Sequence, residues 1–253
     1  MPIFNQSIFF WCCKPLGALC LEFLLQTLEK QYSITKLLGV CTATTDSSHQ
    51  QISEIAQKYN VPVFTEDQPI DLHADLGLVI GFPQRIPLST IQRFSHGVIN
   101  LHFAPLPEYR GSGTLTHAII NQAETYGLTF HYIDEKLDTG PIIATRLIPL
   151  SPTKIASQVI EELEELGFSF FQEYLERFIT TKLPTTPQAE LIRHFQIIPK
   201  FCTRKSIEEL YELSPAWSLE KIHRYVRALS LGKNRQPYFK FGEQKIFLSL
   251  RQT

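Results

Sequence analysis

The N-terminal half of the chain alternates short apolar runs with segments of helical spacing. Residues 7–13 are a continuous apolar run, which predicts a strand buried on both faces. Residues 18–30 place apolar side chains three and four apart and predict a helix. Residues 34–43 then read as a strand, 49–59 as a polar-faced helix, and 61–64 and 75–82 as further strands. A short helix is predicted over 88–95, a short strand over 98–102, a helix over 115–123, and two more strands over 127–133 and 141–150. A long Glu-rich amphipathic helix covers 153–182, and a Pro-marked extended segment covers 183–204. Strand and helix in alternation predict an α/β, Rossmann-like, mostly parallel sheet.

The C-terminal pattern differs. Residues 206–212 and 218–230 read as helices, and 237–250 as a hairpin turning at Gly242-Glu243. The expected organisation is a catalytic domain over 1–195 and a small helix–hairpin region over 196–253, with Trp217, Tyr225 and Phe239 in its core. The hairpin is apolar enough to pair across a homodimer or to fold back on its own domain, and both readings stay open. The glutamates at 161, 162, 164 and 165 read as a solvated helix face.

Composition narrows the class. The 253 residues carry 24 basic and 25 acidic side chains, so the broad basic surface of a nucleic-acid binder is not expected. The five cysteines include no C-x-x-C pair, which argues against a disulfide framework or a zinc ribbon and for a reducing cytoplasm. No basic segment precedes the first apolar run, and Lys14, Pro15 and Glu22 interrupt it. Neither a signal peptide nor a membrane span is expected.

Candidate chemistry is concentrated between residues 97 and 143. Asn100 and His102 are two apart at a strand end, so both face one side. Asp138 lies in a Leu137-Asp138-Thr139-Gly140 turn. An amide can donate to a developing oxyanion, an imidazole can cycle protons near neutral pH, and a carboxylate favours a charged imidazole. No Ser or Cys nucleophile is indicated. A polar strand end plus a turn aspartate is the plainer alternative. No histidine spacing suits zinc, and no metal is expected. His117 reads as a first-turn helix residue.

The stretch Asn100-Leu101-His102, then Leu106-Pro107-Glu108-Tyr109-Arg110-Gly111, Gly127-Leu128-Thr129-Phe130-His131 and Leu137-Asp138-Thr139-Gly140 resembles the core of the 10-formyltetrahydrofolate-dependent formyltransferases. The resemblance covers about residues 7–195 at fold level and is strong over 78–145. It implies a catalytic triad of Asn100, His102 and Asp138. It also implies 10-formyltetrahydrofolate as formyl donor, held between Phe82, Pro83, Gln84, Arg85 and Ile86 on one loop and Asp134 and Lys136 on the other.

The start of the chain departs from that family. Most members carry a Gly-rich turn after the first strand, whereas Trp11-Cys12-Cys13-Lys14-Pro15 stands here ahead of Gly17. Lys14 serves an anion as a point charge or is a solvated loop lysine. For the acceptor, the resemblance points to the nucleotide-sugar N-formyltransferases, because about 58 residues follow position 195 and read as two helices and a hairpin. A nucleotide-linked amino sugar is thus expected, touching Lys14, Tyr109, Arg110, Ser112, Gly113, Thr114 and His131. For Tyr109 packing is the competing role, and for Arg110 it is loop anchoring. For His131 it is burial in its strand. A methionyl-tRNA formyltransferase-like enzyme and a formyltetrahydrofolate hydrolase are the alternatives.

Overall fold

A computed structural model describes residues 6–32, 34–181, 183–231 and 235–250. Its first strands and helices are β1 (Ser7–Cys12), α1 (Lys14–Gln31), β2 (Lys36–Thr42), α2 (His49–Lys58), β3 (Val63–Thr65), β4 (Leu76–Ile80), α3 (Leu88–Ile91) and β5 (Val98–His102). There follow β6 (Tyr109–Gly111), α4 (Thr114–Ile120), β7 (Thr125–Tyr132), β8 (Ile142–Pro149) and α5 (Ala156–Thr180). The C-terminal part holds α6 (Gln188–Phe195), β9 (Lys200–Cys202), α7 (Arg204–Glu208), β10 (Glu212–Leu213), α8 (Leu219–Leu229), β11 (Tyr238–Phe241) and β12 (Gln244–Phe247). The long helix expected over 153–182 ends at Thr180, and Lys182 lies outside the described residues.

Seven strands form the central sheet in the order β3-β2-β1-β4-β5-β7-β8. The five from β3 to β5 are parallel, and β7 and β8 add antiparallel at one edge. Chain order reverses between β1 and β4, so the crevice at the carboxyl ends of these strands is where a sheet of this kind receives ligands. The pleat of β1 sends Ile8, Phe10 and Cys12 to one face and Phe9 and Trp11 to the other. The first face packs against α1, α2 and α5, with Phe10 stacked on Phe171 and Phe130 against Phe170. The second face is covered by the segment 66–96, whose Ile70, Ala74, Ile86 and Phe94 meet Trp11 and Val79. That thinner cover leaves room for a cavity above the strand ends.

A smaller core gathers Ile207, Tyr211, Leu213, Val226 and Leu229, with Trp217, Tyr225 and Phe239 against it. It is joined to the main body through α8. Arg227 Nη1 donates to the carbonyls of Ser151 and Lys154 at 2.6 and 3.0 Å. The hairpin turns at Gly242, and Phe241, Ile246 and Phe247 are exposed. All five cysteines are free and buried. No helix among the described residues is long and apolar enough to cross a membrane.

Three features differ from the sequence reading. The helix expected over 206–212 is α7, which ends at Glu208, and Glu212–Leu213 form strand β10 beside the hairpin strand β11. The segment 183–204, expected to be extended, contains helix α6 and strand β9. Helix α6 buries only Gln188, so it carries no apolar stripe by which to be recognised. Its marks are Pro187 at the N-cap, Glu190 in the first turn and Arg193 and His194 in the last, charges that suit the helix dipole. Strand β9 then pairs in parallel with β6, which carries the C-terminal segment to the edge of the cavity.

Candidate active site

Strand β5 alternates. Ile99 and Leu101 point into the helix-covered core, and Asn100 and His102 face the cavity. In the antiparallel register with β7, Asn100 lies opposite His131 and His102 opposite Thr129. Residues directly opposite in such a pair have Cβ atoms about 5 Å apart, close enough for side chains to bond. Asn100 Nδ2 is 3.1 Å from His131 Nε2, and His131 Nδ1 is 2.8 Å from the Tyr132 carbonyl oxygen. Only one tautomer satisfies both contacts. Nδ1–H donates to the carbonyl, and Nε2 accepts from the amide. His131 is 1% exposed, and burial, with His102 nearby, lowers its pKa from 6.5 to about 4. A neutral ring therefore fixes the Asn100 amide. One amide hydrogen is used on His131 and the second is left for the cavity.

His102 is held from the other side. Its Nε2–H donates to the Tyr109 carbonyl at 3.0 Å, which leaves Nδ1 as the nitrogen that can gain or lose a proton. Asp138 Oδ1 lies 3.7 Å from His102 Nδ1 and 3.8 Å from His131 Nε2. Both separations are too long for direct hydrogen bonds. Asp138 Oδ2 accepts from the Gly111 N–H at 2.8 Å. Asp138 itself has φ +55°, a left-handed conformation that Asp tolerates better than most residues. The turn closes at Gly140, where an added Cβ would lie 1.8 Å from the Tyr132 carbonyl oxygen. Only glycine fits there.

These groups border a cavity of about 730 Å³, within the range of small-molecule sites. Phe82, Pro83, Gln84, Arg85 and Ile86 form one wall, and Ile133, Asp134, Lys136 and Leu137 another. The Arg85 guanidinium donates to the Glu135 carbonyl and ties the two walls together. Asp134 accepts from Thr139 Oγ1 at 2.6 Å and from the Lys136 N–H at 3.1 Å. Ser112, Gly113, Thr114 and His131 line the cavity, and Lys14 lies on it with its N–H bonded to Asp46 at 2.9 Å. No cluster of metal-ligating side chains occurs among the described residues.

Two residues expected at the acceptor take the competing roles, packing and loop anchoring, that the sequence left open. The Tyr109 ring turns into the core against Tyr126, so its side chain is absent from the cavity lining and its carbonyl oxygen does the work at His102. Arg110 also lies off that lining. Its Nε and Nη2 donate to Gln188 Oε1 at 3.2 and 2.7 Å.

Several cavity residues were not singled out in the sequence. Phe201, Cys202, Thr203 and Arg204 reach it on β9 and the start of α7, and Phe201 is 63% exposed. An aromatic beside basic residues was the available hint. Thr129 accepts from the Leu106 N–H and donates to the Ala104 carbonyl, pinning the loop that follows His102. It stands in the Gly127–His131 motif that carries the family resemblance.

A mostly parallel sheet and its loops that bring an amide, an imidazole and a carboxylate to one ligand-sized cavity have the make-up of an α/β enzyme with acid–base chemistry. Residues 45–175, just over half of the chain, match the family model described as formyl transferase, and the chain belongs to that family. It is 34% identical over 122 residues to methionyl-tRNA formyltransferase of Listeria monocytogenes serovar 1/2a, a match covering 48% of this chain and 39% of that protein. The chain spans less than half the length of the curated relatives it matches.

In fold it is similar to a sugar N-formyltransferase from Shewanella sp. FDAARGOS_354, with TM-score 0.80, 16% identity and 97% of each chain covered. It is also similar to the N-formyltransferase of Helicobacter canadensis in complex with folinic acid and dTDP-3-aminofucose. That TM-score is 0.72 at 18% identity, with 92% of this chain and 86% of the other covered.

Proposed function

We propose that the protein transfers a formyl group from 10-formyltetrahydrofolate to the amine of a nucleotide-linked amino sugar in the cytoplasm. The observation that carries this reading is the meeting of Asn100, His102 and Asp138 at the floor of one cavity. Its walls suit the donor. Phe82, Ile86, Val79 and Ile133 offer apolar faces, and the backbone of 81–86 and 134–137 offers polar groups to the edge of a flat bicycle. When bound, 10-formyltetrahydrofolate supplies an activated formyl group. The chain's residues do the rest. The free N–H of Asn100 donates to the oxygen on which negative charge develops. His102 Nδ1 takes the proton that the acceptor amine sheds as it bonds to the formyl carbon, and returns it to the folate nitrogen as that nitrogen's bond to the formyl carbon breaks. Asp138, 3.7 Å away, favours the positive charge that the ring carries in between. No covalent enzyme intermediate is needed.

For the acceptor, the support is the fold likeness over 97% of both chains to a sugar N-formyltransferase, including the C-terminal part that reaches the cavity through β9. The 34% identity to a methionyl-tRNA formyltransferase favours a second reading, in which the acceptor is a charged tRNA. The test is a formyl-transfer assay with 10-formyltetrahydrofolate and a panel of nucleotide-linked 3- and 4-amino sugars, beside methionyl-tRNA and a mixture lacking any amine. Transfer to a sugar supports the proposal, and transfer to tRNA replaces it with the second reading. Formate release without an acceptor makes the protein a hydrolase.

A further inference from the structure

We infer that Gln188 is a positioning residue that sets the Asp138 carboxylate against His102. This rests on reading the cavity as the formyl-transfer site. Gln188 is the first residue of α6 and is 3% exposed. Its amide bonding capacity is full. Nε2 donates to the carbonyls of Asp138 and Gly140 at 3.0 and 2.8 Å, and Oε1 accepts twice from Arg110.

The two sides of that amide hold the two halves of the site. On one side is the strip 109–111, whose Tyr109 carbonyl anchors His102 and whose Gly111 N–H anchors Asp138 Oδ2. On the other is the turn that carries Asp138 itself. One buried side chain therefore spans both segments and sets the distance between them. The turn needs an external hold, because Asp138 sits in a left-handed conformation that a non-glycine residue adopts at a cost. Filling space would not require this chemistry. A helix start whose only buried side chain is an amide with four bonds is arranged for geometry.

The experiment compares the full-length protein with Gln188→Glu and Gln188→Ala. Glutamate keeps an acceptor for Arg110 and removes both N–H donors to the turn. In the formyl-transfer assay kcat falls about 10- to 100-fold, the range expected when a reacting group shifts by a fraction of an ångström to one ångström. KM for donor and acceptor stays within about threefold of wild type, since the cavity walls are untouched. A purely structural role would instead lower the amount of folded protein and leave kcat per folded molecule unchanged.

A second readout needs no substrate. The imidazole NMR signals of His102 and His131 shift in both variants, and those of the distant His223 do not. A folded variant with kcat within about twofold of wild type, or with unmoved His102 signals, overturns the inference. If the wild type transfers no formyl group to any amine, the functional reading fails, and the imidazole spectra still decide the role of Gln188.

Discussion

The amide nitrogen of Asn100 lies 3.1 Å from Nε2 of His131, because the β5–β7 register sets the two residues opposite each other. Neither residue determines the site alone. A free Asn side chain can present oxygen or nitrogen to a ligand, and His131 admits only nitrogen on its own side. Replacing His131 should therefore weaken catalysis without touching the triad. His131→Ala is expected to lower kcat about 10- to 100-fold by freeing the amide. Asn100→Ala, which deletes the donor, should lower it about 10²- to 10³-fold. Single-turnover rates at saturating donor and acceptor check both, and an Asn100→Ala enzyme as fast as wild type would remove the amide from the chemistry.

The same buried ring makes stability depend on pH. Burial, followed by the nearby His102, lowers the His131 pKa from 6.5 to about 4. As pH falls from about 6.5 to about 4, the unfolded chain binds a proton at this position and the folded chain does not. The stabilisation is thus fully present above the unfolded value and is lost through that window, levelling off once the folded ring protonates. In His131→Gln, an amide that can still meet both Asn100 and the Tyr132 carbonyl, this contribution to the slope vanishes. Melting temperatures at pH 7, 5.5 and 4.5 compare the two proteins. Parallel curves would mean that the ring is not the titrating group.

Asp138 offers a cleaner separation of charge from shape. Asp138→Asn keeps the size of the side chain and an oxygen for the Gly111 N–H. It removes the negative charge 3.7 Å from His102 Nδ1. The expected result is a kcat lowered about 10²-fold with little change in melting temperature or KM. The double variant with His102→Ala should be no slower than His102→Ala alone, since the carboxylate acts through the ring. Additive losses would assign Asp138 a task independent of His102.

Much of this site could be read from residue order. Asn100 and His102 share a face because strands repeat every two residues, but only the resemblance to the formyltransferases joined Asp138 to them. The strand–helix alternation likewise carried the middle of the sheet, where the buried runs of β1 and β4 are continuous. What the pattern hid was contributed by segments with no apolar face. Helix α6 buries one glutamine, and β9 is three residues long and defined only by its pairing with β6. Packing, already one of the two roles open to Tyr109 in the sequence, is the one its ring takes in the core against Tyr126.

Two glycines separate close approach from backbone conformation. At Gly140 a Cβ would lie 1.8 Å from the Tyr132 carbonyl oxygen and 2.8 Å from its carbon, so the turn carrying Asp138 must move. At Gly242, the tip of the C-terminal hairpin, a Cβ would meet nothing within 4 Å, and only φ +57° disfavours a side chain. Gly242→Ala should therefore cost about 1 kcal/mol through the left-handed backbone alone and leave formyl transfer intact. Gly140→Ala should cost about 2–3 kcal/mol, the range for overpacking a buried site, and should abolish most activity by displacing the Asp138 carboxylate. Denaturant melts and kcat on the two variants test the pair together. If Gly140→Ala retained wild-type kcat, the turn would be free to relax without moving Asp138, and the geometry of the triad would not depend on it.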